Sequence, residues 1–365
     1  MKFLTTADWH IGLTDEEWRD DKTLKIIYNR SSEQLNNFRQ MAEYCYDNNI
    51  FKIIVAGDVF HTSKPSSQDL VLFFLMVEIA DRYDIELIII NGNHDISISE
   101  DILSAIHTAN LKNVKIIGYT RAEQYDNINF IFIPFSKGID YKLEINDCLE
   151  KNKDFFNIPV IHDEYKGAVT GSEQFVMRGG VNFIDDIPKV DLVIAGHIHK
   201  QQLIRGKSDV LYSGSLTTIN FGEEKDTKGF IEIDSSGYKL KYTFHSFKNL
   251  MKWKTIKIDM KTGFKFSDLK IKEKKFLAKL QIVISKQKRK SFNVEDFKDK
   301  FEKKFNCKVL KYEFSITGKD FKIKKLQKNL SPVELFEKYL IEKKYKEPEI
   351  KTLAKELNNI IGEIE

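Results

Sequence analysis

Five short apolar runs of the sequence are each followed by polar residues of the kinds that bind metal ions. Side chains at positions i and i+2 of an extended segment project to the same side, so Asp8 with His10, and His197 with His199, can each converge on one point. Borderline metals such as manganese, iron and zinc accept mixed imidazole and carboxylate ligands. The pattern therefore predicts a metal site, whose candidate segments are Asp8-Trp9-His10, Gly57-Asp58, Gly92-Asn93-His94-Asp95, His162 and Gly196-His197-Ile198-His199.

Each of these motifs has a plainer interpretation when it is taken alone, because a lone Asp-x-His or Gly-Asp is more often a turn or a cap than a pair of ligands. Their conjunction favours the metal site. Four histidines, two aspartates and one asparagine would otherwise lie independently near buried strand ends, where an unpaired polar group costs free energy. One shared site accounts for all of them, and one Asp, with its two carboxylate oxygens, could bridge two ions.

The apolar runs are predicted to be buried strands with helices between them. One helix is predicted from Ser32 onward and another from Gln68 onward, because their apolar residues recur at helical spacing. Strand and helix alternate, which predicts a layered α/β domain with ligands at the carboxyl ends of its strands. The predicted strands are Phe3 to Thr6, Phe51 to Ala56, Glu86 to Ile90, Asn129 to Ile133, Ile158 to Ile161 and Leu192 to Ala195.

Beyond Gly214 the pattern changes to strands with glycine turns. The runs Gly229 to Ile233 and Lys239 to Phe244 are predicted to complete the sheet sandwich. Residues 251 to 320 alternate again, which predicts strands at Trp253 to Ile258 and at Phe276 to Ser285, with one helical stretch near Val294 to Phe305. This pattern is typical of a small α+β domain.

The end of the sequence carries two apolar stripes at helical spacing. Ser331-Pro332-Val333-Glu334 supplies an N-cap, a first-position proline and a capping-box Glu, which predicts a helix, and a second helix follows the break at Pro348. So short a tail cannot bury both stripes, so we expect it to dock a partner; the alternative is packing onto the chain's own second domain. The stripes consist of Leu335, Phe336, Tyr339 and Leu340, and of Ile350, Leu353, Leu357, Ile360 and Ile361.

Length and composition limit the class of protein. The 365 residues favour two domains with a small appendage, and a chain with 42% hydrophobic and 31% charged residues can bury a core, which excludes disorder. The longest apolar runs are too short to span a membrane, and the first residues leave no room for a secretion signal, so a cytoplasmic protein is expected. Three scattered cysteines suit a reducing compartment.

Charge is divided unevenly along the chain. Residues 251 to 330 contain 25 Lys and Arg against 9 Asp and Glu, a balance of +16, whereas residues 1 to 250 contain 27 against 37, a balance of −10. Many lysines in such a sequence are solvated surface residues. A block of this density nevertheless creates a field that attracts polyanions, and nucleic acid is the natural candidate.

The motif series resembles a known family. DWHIG, GDVF, GNHD, His162 and GHIH look like the signature of the calcineurin-like metallophosphoesterases. The stretches Gly57 to Ser66, Tyr212 to Ser215, Phe221 to Glu223 and Lys228 to Phe230 are similar to the SbcD branch, the double-strand-break repair nucleases, and the size resembles its phage-type recombination endonuclease subunit. The resemblance implies a four-layer α/β sandwich over residues 1–247, a basic DNA-binding capping domain over 248–328 and a helical tail over 329–365 that docks a partner.

The resemblance also implies a role for each candidate residue. It implies two divalent ions, with manganese favoured, the first held by Asp8, His10, Asp58 and His199 and the second by Asp58, Asn93, His162 and His197. Asp58 is then the bridge. His94 would act as the acid beside the scissile phosphate, with Asp95 orienting its ring. His61 would either position DNA near the metals or cap the helix that begins near Pro65 to Gln68.

The implied function is a manganese-dependent DNA nuclease with 3′–5′ exonuclease and single-strand endonuclease activity. It would process DNA ends in recombination and double-strand-break repair as a homodimer, together with an SbcC-type coiled-coil ATPase. Helices near Leu70 to Ile79 and Ile102 to Ala109 are more apolar than one core-facing stripe requires, which suggests the dimer contact.

Two alternative functions belong to other classes of protein. One is a phosphatase acting on phosphoproteins or a phosphodiesterase acting on small molecules; against it, Asp58 is followed by Val-Phe-His-Thr-Ser-Lys and not by the Arg-bearing sequence of protein phosphatases. The other is a catalytically idle scaffold, which loss of a ligand would favour, and none of the expected ligands is lost.

Overall fold

A computed structural model describes residues 1–13, 17–20, 23–96, 102–170, 175–176, 188–261, 263–317, 340, 347 and 349–353. The chain divides into two compact units, Met1–Val283 with Phe292–Ser315, and Ile284–Ser291 with Ile316–Glu365. The first unit thus contains most of the expected second domain together with the expected nuclease domain. The boundary predicted at 247/248 stays a prediction.

Strands predominate in the described residues. The helices are α1 (Arg30–Asp47), α2 (Ser67–Arg82), α3 (Ile102–Thr108), α4 (Tyr141–Cys148), α5 (Lys286–Ser291) and α6 (Val294–Phe305), with 3₁₀ turns at Phe221–Glu223 and Phe266–Asp268. The strands are β1 (Lys2–Thr6), β2 (Glu17–Arg19), β3 (Ile26–Asn29), β4 (Lys52–Ala56), β5 (Glu86–Ile90), β6 (Val114–Ile117), β7 (Arg121–Tyr125), β8 (Ile128–Ile133), β9 (Phe156–His162), β10 (Val169–Thr170), β11 (Phe175–Val176), β12 (Val193–Gly196), β13 (Gln202–Ile204), β14 (Val210–Tyr212), β15 (Gly229–Asp234), β16 (Lys241–Ser246), β17 (Lys252–Asp259), β18 (Phe276–Ser285) and β19 (Lys308–Thr317).

Two six-stranded sheets form the body of the first unit. The first has the order β16-β15-β1-β4-β5-β6, and the second has the order β13-β14-β12-β9-β8-β7. Strands β1, β4, β5 and β6 are parallel, as are β8, β9, β12 and β14, so their carboxyl ends reach one edge of each sheet. Strand β15 pairs antiparallel with β1 and with β16, which confirms that the late strands complete the sandwich.

Three apolar cores separate four layers. On the outer face of the first sheet, Leu4 and Ile53 pack with Phe38 of α1 and Phe73 of α2. The inner faces of the two sheets meet in a second core, which includes Phe3, Ile54, Ile88, Phe130, Val160 and Ile194. On the far side of the second sheet, Ile131 and Val193 pack with Tyr141 and Ile145 of α4. The order helix, sheet, sheet, helix confirms the predicted four-layer sandwich.

A third sheet, of order β17-β18-β19, follows the sandwich. Its strands and the helix α6 confirm the predicted strands and the helix Val294 to Phe305. Trp253 of β17 and Leu277 of β18 share a small apolar core with Trp18 and Tyr28 of the hairpin β2–β3. This hairpin, which no pattern in the sequence had predicted, attaches the third sheet to the rest of the unit.

Most residues of the predicted tail helices lie outside the described residues, including Leu335, Phe336 and Tyr339. Residues 349–353 are helical, and Leu340 and Ile350 are buried. Among the residues that the structure describes, no helix has the length and apolarity needed to cross a membrane.

Glycine at position 57 lets the chain turn at the end of β4. Gly57 has φ +86°, and a Cβ there would lie 2.4 Å from Nδ1 of His162. Replacing Gly57 with Ala should therefore destabilise the fold by about 1 to 3 kcal/mol, the usual cost of overpacking, as measured by urea unfolding. Gly118→Ala is the control, because nothing lies within 4 Å of its Cβ. Equal midpoints for the two variants would contradict this account of the turn.

Candidate metal centre

The candidate ligands lie at the carboxyl ends of strands from both sheets. Asp8 and His10 follow β1, Asp58 follows β4, and Asn93 follows β5. His162 ends β9, and His197 and His199 follow β12. The sandwich therefore brings all seven predicted metal ligands to one edge, where ligands bind in open α/β sheets.

Four of these residues adopt the left-handed backbone conformation that non-glycine residues rarely adopt. The φ angles are 53° at Asp8, 47° at His10, 52° at Asp58 and 83° at His197. Such positions cost about 1 to 3 kcal/mol each and persist only where surrounding structure enforces them. Main-chain bonds from Asp8 N to Gly57 O (3.0 Å) and from His10 N to Asp58 O (3.0 Å) hold the first two loops side by side. Four of the twelve described non-glycine residues with positive φ are therefore candidate ligands.

A first cluster joins Asp8, His10 and His199, whose ligand atoms all lie within 4.8 Å of one another. Nε2 of His10 lies 3.0 Å from Nε2 of His199. One oxygen of Asp8 accepts from the main-chain N of His197 at 2.9 Å, whereas Oδ2 is buried and has no hydrogen-bond partner among the residues that the structure describes. Burial raises the pKa of this Asp8 carboxyl. The cluster thus holds an unsatisfied oxygen beside two imidazole nitrogens.

A second cluster joins Asp58, His162 and His197 within the same distance limit of 4.8 Å. Oδ1 of Asn93 lies 3.0 Å from Nε2 of His162 and 3.0 Å from Nδ1 of His197. Nε2 of His162 also lies 3.2 Å from Oδ2 of Asp58. The amide oxygen, the carboxylate and two rings therefore converge as a second set of four potential ligands.

Asp58 lies between the two clusters. Its Oδ2 is 3.2 Å from Nε2 of His162 and 3.7 Å from Nε2 of His10, and its Oδ1 accepts from the main-chain N of His94 at 2.9 Å. Burial by itself would raise the pKa of Asp58, but His162, by charge and hydrogen bonding, holds it well below its usual range. The Asp58 carboxylate is therefore negatively charged, and a cation held in either cluster would be attracted to it.

Two histidines donate through Nδ1 to groups outside the centre, so their Nε2 atoms are the ones that would bind a metal. Nδ1 of His162 donates to Ala56 O at 2.7 Å, since a carbonyl can only accept. Nδ1 of His199 donates to Oε1 of Glu223 at 2.9 Å. A histidine ligand is a neutral ring, and Nε2 would then be the lone-pair atom of each, oriented by the group that accepts from Nδ1. Burial by itself would lower the pKa of His162, but the Asp58 carboxylate raises it to about 9, so a metal ion would displace the proton that Nε2 of His162 shares with Asp58. Together with the unpaired Asp8 oxygen, this donor set fits two divalent cations.

His94 and His61 lie beside the first cluster. The two rings stack with centroids 5.1 Å apart, and the His94 ring centroid lies 4.8 Å from that of His10. Nδ1 of His61 lies 3.4 Å from Nδ1 of His10. The alternative in which His61 caps α2 is wrong, because Ser66 is the N-cap and forms a capping box with Asp69.

The predicted contact between Asp95 and the His94 ring is corrected by the structure. Nδ1 of His94 donates to the main-chain O of His61 at 2.9 Å, so this carbonyl orients the ring. Asp95 is buried and accepts from the main-chain N of Phe60 at 2.9 Å and of Gly92 at 2.8 Å. Burial, with the charge of Asp58, raises its pKa to about 7. Asp95 therefore fastens the loop after β4 to the loop after β5.

Glu223 and Lys228 form a buried ion pair behind His199, to which the sequence analysis gave no role. Nζ of Lys228 lies 2.6 Å from Oε2 of Glu223, and it also donates to Ser215 Oγ at 2.8 Å and to His199 O at 2.9 Å. Burial alone would raise the pKa of Glu223, but the charge of Lys228 lowers it to about 2. The pair fixes both the ring and the main chain of His199. In the sequence, Phe221 to Glu223 and Lys228 to Phe230 stood out only as stretches that resemble the family, and nothing in them indicated an ion pair.

The two packed sheets and the clusters at their strand ends define a metallophosphoesterase. A family model described as "Calcineurin-like phosphoesterase" matches residues 1–201, which is more than half of the 365-residue chain. The chain therefore belongs to the calcineurin-like phosphoesterase family.

Several curated proteins are similar over most of the chain. The chain is 28% identical to the D subunit of the SbcCD nuclease of Staphylococcus epidermidis over 289 residues, covering 71% of this chain and 73% of that protein. The corresponding Bacillus subtilis protein is 26% identical over 298 residues, covering 70% and 72%. Among solved structures, a purple acid phosphatase from yellow lupin seeds matches with a TM-score of 0.43 at 14% identity, over 67% of this chain and 51% of that one.

The buried ion pair predicts a specific stability effect. Lys228→Met should destabilise the protein by about 3 to 5 kcal/mol, because it leaves the Glu223 carboxylate buried without its cation. Adding Glu223→Gln to this variant should recover part of the loss, as urea unfolding of both single variants and the double variant would measure. Lys300→Met is the control, since Lys300 pairs with Asp296 on an exposed helix face, where ion pairs contribute little. Strictly additive losses at positions 223 and 228 would contradict the coupling.

Proposed function

We propose that the protein is a DNA nuclease that uses two divalent metal ions, with manganese favoured, to hydrolyse phosphodiester bonds. The observation that carries the proposal is the position of Asp58, one carboxylate oxygen of which lies within 3.7 Å of imidazole nitrogens from both clusters. In this proposal Asp8, His10, Asp58 and His199 hold one ion, and Asp58, Asn93, His162 and His197 hold the other. Two ions held by these residues would stabilise charge on a phosphate oxygen and would promote ionisation of the attacking water.

His94 is proposed to protonate the leaving sugar oxygen. Its Nδ1 donates to the main-chain O of His61, which leaves Nε2 as the atom that exchanges a proton with substrate. Its main-chain N donates to Asp58, so the loop that carries the acid is fixed to the bridging carboxylate. A general acid must be held within hydrogen-bond reach of the group it protonates. His61, stacked on the His94 ring, is proposed to position both this ring and the DNA strand.

DNA is the proposed substrate because two independent observations favour a long polyanion. Residues 251 to 330 carry a balance of +16, and four basic residues lie in α5, the sequence of which is KQKRKS. The similar curated proteins are named as subunits of a nuclease. From the resemblance we further propose 3′–5′ exonuclease and single-strand endonuclease activity on DNA ends in recombination and double-strand-break repair.

The proposed partners are a second copy of the chain and an SbcC-type coiled-coil ATPase. The similar curated proteins are named as one part of a two-part nuclease, SbcCD, which supports the ATPase partner, and the tail over 329–365 is the proposed docking segment. On α2, Val71, Phe74 and Leu75 are exposed and lie at spacings of three and four residues, on one helix face. An apolar face of this kind suits a homodimer contact. We propose that the assembly works in the cytoplasm.

The roles proposed for His94 and Asp58 lead to opposite expectations for bound metal. His94→Ala should abolish Mn²⁺-dependent cleavage of duplex and single-stranded DNA but keep both ions, because His94 is not a ligand. Asp58→Ala should lose both ions, because the bridge belongs to both sites. Metal analysis after gel filtration and a gel-based cleavage assay measure the two properties.

Three outcomes would count against this proposal. Loss of metal from His94→Ala would make this residue a ligand, and a full metal complement in Asp58→Ala would remove the bridge. If the wild-type protein with Mn²⁺ cleaves neither form of DNA, hydrolysis of p-nitrophenyl phosphate would make it a phosphatase, and hydrolysis of bis(p-nitrophenyl) phosphate would make it a phosphodiesterase acting on small molecules.

The basic segment predicts how DNA binding depends on salt. Replacing Lys286, Lys288, Arg289 and Lys290 with Gln should weaken binding and reduce the slope of log K against log salt by about one for each phosphate that is no longer neutralised. Fluorescence anisotropy in the presence of a chelator measures binding without cleavage. Replacing four exposed lysines of the body with Gln, namely Lys112, Lys142, Lys151 and Lys153, is the matched control. Equal slopes for the α5 variant and the wild type would show that these cations are merely solvated.

A further inference from the structure

A cavity of about 430 Å³ lies beside the turn that leads to Glu223. Phe221 and Asn220 line it from this turn. Trp253 of β17, Lys279 of β18 and Lys311 of β19 line it from the third sheet. Its volume falls within the range of about 300 to 1,000 Å³ that is usual for small-ligand sites. All these residues belong to the first compact unit.

Trp253, which lines this cavity, carries an unused hydrogen-bond donor on its indole. The residue is 5% exposed, and its Nε1 is buried without a hydrogen-bond partner among the described residues. The Arg30 guanidinium lies 5.3 Å from the ring centroid, and Phe221 packs edge-on at 4.7 Å. A buried donor without an acceptor is costly, so a ligand that supplies an acceptor oxygen gains affinity at this place.

The two lysines give the cavity a net positive charge. Nζ of Lys279 lies 2.9 Å from Oε1 of Glu313, and Nζ of Lys311 lies 3.3 Å from the same oxygen. Two cations thus share one carboxylate, which leaves one positive charge in excess within this group. The Lys311 side chain is 60% exposed, so an anion can reach it without losing all its water.

We infer that the cavity receives one unpaired nucleotide of single-stranded DNA. A phosphate at the buried indole would lose its hydration, whereas a base carbonyl is a neutral acceptor that can be buried at lower cost. The phosphate is better accommodated at the exposed lysine, and the base packs against Phe221. A base in a duplex is already paired and stacked, so only an unpaired nucleotide can enter.

The cavity is connected to the proposed metal centre through a short segment. Phe221 lies two residues before Glu223, which accepts a hydrogen bond from His199, and Arg30 donates to Thr218 O at 2.7 Å. A nucleotide in the cavity would therefore hold the DNA strand close to the segment that orients a metal ligand. The inference rests on the proposed function, since it specifies how a nuclease of this kind selects a single strand.

The test compares two short oligonucleotides of equal length, an oligothymidylate and its abasic analogue, by fluorescence anisotropy with the full-length protein in chelator. Trp253→Phe keeps the ring packing but removes the N–H, so binding of the oligothymidylate should weaken about tenfold while binding of the abasic strand stays unchanged. Lys311→Gln should weaken both and reduce the salt slope by about one. Trp18→Phe is the matched control, because Trp18 is buried in the same apolar core as Trp253, and it should change neither.

Equal affinities of Trp253→Phe and the wild type for the oligothymidylate would overturn the inference. An equal loss for both strands would overturn it as well, because the indole would then not contact a base. If Trp253→Phe fails to fold, as judged by near-ultraviolet circular dichroism, Phe221→Leu provides the second variant, and it should weaken only the base-containing strand. Mn²⁺-dependent cleavage by the wild type tests the proposed function separately, so cleavage together with unchanged Trp253→Phe binding would reject the cavity alone.

Discussion

The position of one buried carboxylate, that of Asp58, is the constraint on which the rest of the site depends. A charge buried this deeply is tolerated only where opposite charges or donors surround it. His162 and His10 approach one of its oxygens and the main-chain N of His94 approaches the other. This arrangement requires strands of two sheets to end at the same place. Two cations would satisfy the same carboxylate, and this is the physical basis for proposing a dinuclear centre.

The two sheets can approach each other closely at the candidate site only because glycines lie there. A Cβ at Gly196 would lie 2.0 Å from Ala56 O, and one at Gly92 would lie 2.2 Å from Oδ1 of Asp58. The same close approach lets Nδ1 of His162, on the second sheet, donate to Ala56 O on the first. The buried Glu223–Lys228 pair orients His199 in a similar way. The candidate ligands are therefore oriented by main-chain and ionic contacts that are themselves buried.

The sandwich could be predicted because the patterns that indicate its strands and helices lie within each segment of the sequence. The strands Glu86–Ile90 and Phe276–Ser285 and the helix Val294–Phe305 have the predicted bounds, since long apolar or alternating runs and a capping residue are visible in the chain. The short strands of the hairpin β2–β3 lack such a signal and were missed. The partners of Asp95 are main-chain N–H groups, which no residue type specifies, so its contact was predicted wrongly. The ion pair behind His199 and the donor of Trp253 depend on tertiary packing and could not be predicted from spacing.

The central claim is that Asp58 joins two metal ions in one site. Electron paramagnetic resonance of the wild-type protein loaded with Mn²⁺ tests it most directly, because two manganese ions that share a carboxylate are magnetically coupled. The expected spectrum is that of an exchange-coupled pair, and its intensity should grow with the second equivalent of metal. A spectrum of isolated Mn²⁺ ions at every loading, with no coupled signal, would contradict it.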